Sequence, residues 1–436
     1  MVVLISLWQI GSDLRATRFH PDESRWINRA PHLSELRNPR GSYWSDAYLI
    51  RGQPPMGSYI TGFGLWVQGY ELKSSGPWNF SFGNDGDINW NVTYGNMPSE
   101  SYLLAARKTS IAFGVLTCLA VYLIVTTLTN WIGGAVAGVF MAVHPLTVYL
   151  STLAVSDIAF TFVVSLSVLV AIWLARKPAW GRVSVLGIVL GIGASLKLSP
   201  VFVSVGLAMI GAVIVVGPVV SRVSPLRWFW NVMGANVPSV RRLGWMLIAL
   251  PVICGAIFVA SYPYLWSDPV DRTSALFEFR RDEMNAQSRI FRTAAITSRS
   301  EAMTRTWEML EERYSASGKL LVKFGLREPR VGHPDGAEPG YDLPFAIAGL
   351  GIFAATAIGR GFRTPRLLAF LALMGQSLII FAGLTVDFDR YYLPFVLMFA
   401  IGLGVGIGEI TGWLFRIYRR TAGRAHSERT MQPGPA

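Results

Sequence analysis

The chain has 436 residues, 52% of them hydrophobic and only 15% charged, with a mean hydropathy of +0.39. An ordinary soluble domain carries about 25% charged residues, so too few side chains are available here for a water-facing surface, and a soluble class is excluded. The net charge of +12 would suggest nucleic acid in a soluble chain; in this one its meaning depends on where the basic residues fall.

Apolar runs near the length that crosses a hydrocarbon core of about 30 Å recur along the sequence. They cover 107–128, 131–149, 157–175, 183–197, 199–217, 243–264, 342–358, 367–386 and 391–415. The first ten residues read as part of a further span, too short to cross alone, and lack the basic n-region and cleavage site of a signal peptide. About ten transmembrane helices are expected, an all-α polytopic fold filling 1–436 as one multi-span domain. The two cysteines, Cys118 and Cys254, both lie in apolar runs, with no disulfide framework or CxxC metal pattern. They read as small buried hydrophobes.

The basic residues alternate with the spans. Arg176, Lys177 and Arg182 follow one run; Arg222, Arg227, Arg241 and Arg242 fall in an acid-free stretch at 218–242. Arg360, Arg363 and Arg366 occupy a short turn, and Arg416, Arg419, Arg420 and Arg424 follow the last run. If each run crosses once, all four segments share one side, which the positive-inside rule makes cytoplasmic. The charge excess is then a topology signal in a multi-pass cell-membrane protein, and no nucleic-acid partner is implied. The opposite side receives the loop 11–106, the turn at Ser156–Asp157, the loop 265–341 and "DFDRYY" at 387–392.

The first outer loop, 11–106, contains the acid pair Asp22–Glu23 within "RFHPDESRW", then "RGQPPMGSYITGFGLWVQGYE" (51–71), which suits an interfacial helix. The stretch 74–96 is rich in Gly, Asn and aromatics, reads as irregular loop, and carries N-x-S/T sequons at Asn79 and Asn91. In the second outer loop, 265–341, Met303, Trp307, Leu310 and Tyr314 recur at helical spacing. Amphipathic helices on the membrane are expected there, a small soluble cap being the alternative. Residues 421–436 read as a short disordered cytoplasmic tail. Asp157, Lys197, Asp387, Asp389 and Arg390 sit at outer span ends, where solvation or snorkelling explains one ionisable residue well. A group of them on one face points to a polar cavity. His20, His32, His144, His333 and His426 are too scattered for a zinc site.

Six stretches then occur in register with this topology: "HPDE" (20–23), "PPMG" (54–57), "ARKTSIAFGVLTCLAVYLI" (106–124), "HPLTVYLSTLAVSDIAFTF" (144–162), "LGIGASLKLSP" (190–200) and "DRYYLP" (389–394), with "YPYLWSDPVDR" (262–272) as a further stretch of the kind bacterial members carry. Together they resemble membrane glycosyltransferases of the C type (GT-C), in the branch holding protein O-mannosyltransferases and lipid A aminoarabinose transferases. The resemblance implies a polyprenyl-phosphate-linked sugar as donor and transfer to a hydroxyl acceptor on the extracytoplasmic face. It also implies inversion at the anomeric carbon by single displacement. By this resemblance Asp22 takes the role of the family's catalytic base, with Glu23 beside it. Asp157, Lys197 and Arg390 fall on substrate-facing positions, joined by Tyr391 and by Pro55 of the Pro-Pro pair. Gln53 stands where His or Lys often precedes the prolines, and Ser58 replaces the common Lys or Tyr after the glycine.

The chemistry suits these residue types. A base beside the acceptor hydroxyl works better when partial desolvation raises its pKa, which is the expectation for Asp22. Lys197 and Arg390 supply positive charge for the departing phosphate. Asp22, Glu23 and Asp157 offer oxygen ligands of the kind that hold Mg²⁺ or Mn²⁺, though nothing in the sequence requires a metal. The alternative is a multi-span lipid or sugar transporter or flippase without transferase activity. It predicts internal repeats with helices broken in matching halves, which the sequence lacks. A membrane scaffold, the third class, has no need of Asp22.

Overall fold

In the computed structural model every long element is a helix. The described residues are 1–12, 14–45, 48–51, 53–73, 76, 78–79, 84–220, 233–234, 237–327 and 339–430, without the side chains of 48–49, 84–87, 218–220 and 420–430. Arg222, Arg227, His333 and parts of the loops at 74–96 and 328–344 lie outside them.

A short apolar helix α1 (Val2–Ser12) opens the chain. The first loop folds into α2 (Pro21–Ile27), α3 (His32–Glu35), α4 (Tyr48–Arg51), α5 (Met56–Val67) and α6 (Asn84–Thr93). The bundle continues with α7 (Glu100–Leu128), α8 (Trp131–Val143), α9 (Pro145–Ser151), α10 (Asp157–Arg176), α11 (Trp180–Ala194), α12 (Ser199–Val220), α13 (Pro238–Ile248) and α14 (Leu250–Ala260). The second loop supplies α15 (Pro269–Ile290), α16 (Arg299–Trp307) and α17 (Ala316–Lys323), and the chain closes with α18 (Asp342–Arg360), α19 (Pro365–Gly383) and α20 (Leu393–Thr430).

Each apolar run expected from the sequence is helical, but fewer than ten cross by length. Among the described residues seven are long and apolar enough, or up to eight if the bent pair α8–α9 counts as one span. With 11 and 15 residues, α1 and α11 reach only about 16 Å and about 22 Å at 1.5 Å per residue. The 61° bend between α8 and α9 falls at His144–Pro145, because a residue before proline is pushed out of the helical region; His144 sits at φ −64°, ψ 124°. Pro251 likewise separates α13 from α14 by removing an intrahelical donor. At the other end of the chain, α20 runs to Thr430, into the stretch expected to be a disordered tail; residues 431–436 lie outside the described ones.

Small residues let the bundle close, as in membrane helix pairs generally. A Cβ on Gly349 of α18 would lie 2.3 Å from the Gly402 carbonyl oxygen of α20, and one on Gly133 of α8 2.4 Å from that of Gly404. The helix α20 thereby becomes the central post of the bundle, with Val396, Leu397, Ala400, Ile401 and Val405 buried. Cys118 and Cys254 are both free and buried.

The ends of the bundle differ in chemistry. At one end Arg176 donates to the Thr127 carbonyl at 3.0 Å, and Arg366 reaches the Leu128 carbonyl and Glu409. At the other, the first loop packs over the starts of α7 and α10. The second loop lies against the α19–α20 turn through Ile296 N–H to Thr385 O at 2.9 Å and Asp387 N–H to Ala294 O at 2.7 Å. Its sequence stripe is only half realised. The helix α16 passes into a π-helical turn at Glu308–Arg313, which shifts the register. Met309 and Leu310 are therefore buried while Met303 and Trp307 stay exposed.

Candidate active site

The residues singled out in the first loop begin with a helix start. His20 caps α2: its Nδ1 accepts from Asp22 N–H at 3.2 Å, and its own N–H donates to Glu23 Oε2 at 2.9 Å. With Pro21 at the first helical position, this is a reciprocal capping box. It fixes the two acids a helical step apart, aimed in different directions.

Glu23 points into protein and is fully buried. Its Oε1 accepts from Arg107 Nε at 2.8 Å and from Ala154 N–H at 2.8 Å, and its Oε2 from Arg107 Nη2 at 2.7 Å. Arg107, equally buried, spends its remaining donors on the carbonyls of Leu14, Thr17 and Arg18 at 3.2, 2.9 and 3.1 Å. The pair ties loop 14–18, α2, α7 and the start of the α9–α10 turn together. With both oxygens taken, Glu23 has no lone pair for a proton-transfer role and does not reach the cavity described next.

Asp22 faces a cavity of about 490 Å³. Its floor and sides come from Trp26, Gln53, Pro54, Asp157, Lys197, Arg390 and Tyr391; α15 roofs it with Phe277, Arg280 and Met284, and Phe202, Ile379 and Ile380 form an apolar wall between α12 and α19. Asp22 is ion-paired with Arg390. Asp157, at the start of α10, accepts from Lys197 Nζ at 2.5 Å. The Lys197 ammonium also stands 5.2 Å from the Phe160 ring and 5.7 Å from that of Tyr391, while the Arg390 guanidinium is 5.6 Å from the same Tyr391 ring. Tyr391 thus lies between the two cations, near enough for cation–π attraction to both.

Burial alone pushes the Asp22 carboxyl up, as the sequence reading expected. Arg390, with smaller contributions from His20 and Arg25, outweighs it, and the net pKa lies below the ordinary value of 3.8. The expected raised pKa is therefore reversed, for a reason invisible in sequence: the countercharge arrives from 368 residues away.

Pro55 is buried at the start of α5 and does not line the cavity; its neighbours Gln53 and Pro54 do. The "PPMG" stretch instead braces the site. Met56 N–H donates to Ser195 O at 2.9 Å, two residues before Lys197. Gly57 allows the closest approach, since a Cβ there would lie 2.4 Å from the Trp26 ring and 2.8 Å from Ser156 Cβ. Arg390 is held from the other side. Its neighbour Asp389 accepts from Tyr314 Oη at 2.6 Å and pairs with Arg313 at 3.3 Å, and Tyr392 Oη donates to Asp387 at 2.6 Å.

The three acids considered as ligands for a divalent cation do not converge. Asp22, Glu23 and Asp157 are each paired with a separate cation, Arg390, Arg107 and Lys197. Among the described residues no three His, Cys, Asp or Glu side chains form a possible metal cluster. This donor set does not fit a metal. Sequence reading missed Arg25, Trp26, Arg280 and Arg281; only the Arg280–Arg281 pair in an otherwise amphipathic helix offered a signal.

A polytopic helical bundle with a charged, apolar-walled cavity at one end, beneath loops after α1 and α14, has the GT-C architecture of membrane glycosyltransferases. The profile of the dolichyl-phosphate-mannose-protein mannosyltransferase (PMT) family matches residues 37–256, just over half of the sequence. The chain belongs to that family. Asp157 and Lys197 fall within the matched segment; Asp22 and Arg390 lie on either side of it. Among solved structures it is similar to ArnT from Cupriavidus metallidurans bound to undecaprenyl phosphate, with a TM-score of 0.50 and 15% identity, covering 93% of this chain and 59% of that one. It is also similar to the archaeal oligosaccharyltransferase AglB from Archaeoglobus fulgidus, in complex with an inhibitory peptide and a dolichol-phosphate, with a TM-score of 0.46 and 15% identity over 100% of this chain and 51% of that one. The chain thus spans less than two thirds of the length of either. No curated relative matches it significantly.

Proposed function

We propose that the protein is an integral-membrane glycosyltransferase. It moves a sugar from a polyprenyl-phosphate carrier to a hydroxyl acceptor on the extracytoplasmic face, with Asp22 as general base. The observation carrying this reading is one cavity in which a carboxylate, two cations and an apolar wall meet: Asp22, Lys197 and Arg390, beside Phe202, Ile379 and Ile380. The wall suits the first isoprene units of a lipid carrier, and the cations suit its phosphate. The ArnT structure named above was solved bound to undecaprenyl phosphate, which supports that donor class.

In the step proposed, the acceptor O–H gives its proton to Asp22 as its oxygen bonds to the anomeric carbon. The bond from that carbon to the phosphate oxygen breaks, and the phosphate departs with its lipid. Lys197 and Arg390 stabilise the charge growing on it. Arg390 joins the two halves of the chemistry. Before donor binds, it holds Asp22 ionised; a phosphate that draws on its other N–H groups weakens that hold and makes the carboxylate a stronger base as the donor seats. Glu23 acts as a positioning residue, and Asp157 orients Lys197. Loop 11–106 is the catalytic lobe and 265–341 the cavity roof of a single multi-span domain.

The test supplies membranes containing the full chain with labelled polyprenyl-phosphate sugar and compares wild type with Asp22→Asn. Loss of transfer in a variant that still melts cooperatively as a folded protein supports the assignment. Undiminished transfer removes Asp22 from the mechanism. Transport of the lipid-linked sugar by wild type, without transfer, places the protein with flippases instead.

A further inference from the structure

At the end of the bundle away from the catalytic cavity, a second cavity of about 380 Å³ opens between α11 and α13, lined by Trp180, Pro238, Arg241, Arg242, Trp245 and Met246. Its position follows from the chain path. The helix α11 starts at Trp180 and ends three residues before Lys197, so its first residue lies a helix length, about 22 Å, from the catalytic end.

The lining has a simple sequence origin. Pro238, Arg241, Arg242 and Trp245 are spaced i, i+3, i+4 and i+7, which is one face of α13. The opposite face is buried through Val240, Leu243 and Leu247, with Gly244 against α12, where a Cβ on Gly211 would lie 2.5 Å from the Gly244 carbonyl oxygen. The outward face therefore carries two guanidinium groups flanked by two exposed indoles, Trp245 on the same helix and Trp180 across the cavity. Neither guanidinium has a carboxylate partner among the described residues, and the whole of 218–242 contains no Asp or Glu to supply one. Arg182, nearby in sequence, is already engaged: it donates to the Trp173 carbonyl at 2.6 Å and stacks 4.5 Å over that ring.

We propose that this cavity binds the phosphate headgroup of an anionic glycerophospholipid. Two adjacent guanidinium forks match the oxygens of a phosphodiester. Indoles at the membrane–water boundary pack on the glycerol and upper acyl region, where a ring with one wet and one apolar side is stable. A free anion satisfies the arginines but leaves both indoles in water; a zwitterionic lipid covers the indoles but brings a cation to the arginines. An anionic lipid satisfies both. The proposal is independent of the catalytic reading, because no residue is shared between the two cavities.

The test uses the full chain in dodecylmaltoside, titrated with dioleoyl-phosphatidylglycerol, with binding read by native mass spectrometry and melting temperature. Wild type is expected to bind the lipid and melt higher. The double variant Arg241→Gln with Arg242→Gln is expected to bind it roughly thirtyfold more weakly, from about one unit of membrane-surface attraction per arginine. Its lipid-free melting temperature should match wild type, since both side chains are exposed. Trp245→Ala should weaken binding to a lesser degree. Equal binding by wild type and double variant overturns the proposal, as does an equal wild-type response to dioleoyl-phosphatidylcholine. A melting shift reproduced by inorganic phosphate at matched ionic strength also overturns it, by making the cavity a free-anion site.

Discussion

Asp22 and Glu23 are consecutive residues of one short helix, yet they belong to two different regions of the molecule. Glu23 faces the clamp that fastens the first loop to α7, where every oxygen and every guanidinium nitrogen has a partner and almost no surface reaches solvent. Asp22 faces the cavity, is partly accessible, and its nearest cationic partner, Arg390, stands on a turn between spans. A fully satisfied buried pair holds structure and has nothing left to give a substrate. A partly exposed pair beside a cavity can exchange partners. The difference is the ground on which the proposed mechanism gives Glu23 a positioning role and Asp22 the catalytic one.

Substituting the two acids one at a time puts that division to its hardest test. Asp22→Asn should lower sugar transfer by about 10²–10⁴-fold, the usual contribution of a general base, and cost less stability than loss of the Glu23 clamp, because the Asp22–Arg390 pair is partly exposed; activity assays with parallel melting curves decide it. Glu23→Gln should do the reverse. It leaves Arg107 buried without a full countercharge, which costs about 3–5 kcal/mol, seen as a lower denaturation midpoint or reduced folded yield. If Glu23→Gln melts like wild type while transfer collapses, the division between clamp and catalyst fails.

Arg390→Gln should come next in size, with a loss of about 10²–10³-fold in turnover from the missing charge on the leaving group. A turnover unchanged from wild type takes Arg390 out of the chemistry. A smaller effect is expected from Gly57→Ala. The new methyl overlaps the Trp26 ring, and overpacking of this kind costs about 1–3 kcal/mol; displacement of Trp26 and Ser156 should also reduce transfer, which a wild-type rate in this variant would contradict.

The smallest expected effect lies in the pH profile. Because the folded pKa of Asp22 is depressed below 3.8, its ion pair contributes stability that is present above the unfolded carboxyl value of about 3.9 and lost as pH falls through the folded value. Wild type should therefore show no acid limb of Asp22 at or above that pH. In Arg390→Gln, burial is left without its main opponent, so the limb of the residual activity should move to higher pH. A limb in the same place in both proteins would mean that Arg390 does not set the ionisation of Asp22.

Much of this was legible in the chain because it is local. Helical spans follow from apolar run length; the bend at His144–Pro145 and the capped start of α2 have local causes, proline sterics and a His-Pro-x-Glu pattern, but lay inside stretches read as one run and as a loop. The choice of Asp22 over its neighbours came from a resemblance, and so did the group Asp157, Lys197, Arg390 and Tyr391. Pro55 was misread for an instructive reason. A Pro-Pro-x-Gly stretch indicates rigidity and close approach but not which of its atoms faces a ligand; in the fold it is Pro54 that meets the cavity and Gly57 that admits Trp26 and Ser156. The stripe from Met303 to Tyr314 broke at a π-helical turn, which a fixed helical period does not anticipate.

The sequence by itself determined the class: a helical membrane bundle with its basic segments at one end and its reactive residue types at the other. Composition and spacing act residue by residue, and both survive translation along the chain. Only the tertiary structure decided which acid faces the cavity and which is buried in a clamp, which way the Asp22 pKa is pushed, and that the three acids are each paired with a separate cation. Each of these turns on a partner brought from elsewhere: Arg107 for Glu23, Arg390 for Asp22, Lys197 for Asp157. The energy of a buried charge is set by the few ångströms around it, and those neighbours are chosen by packing rather than by sequence order.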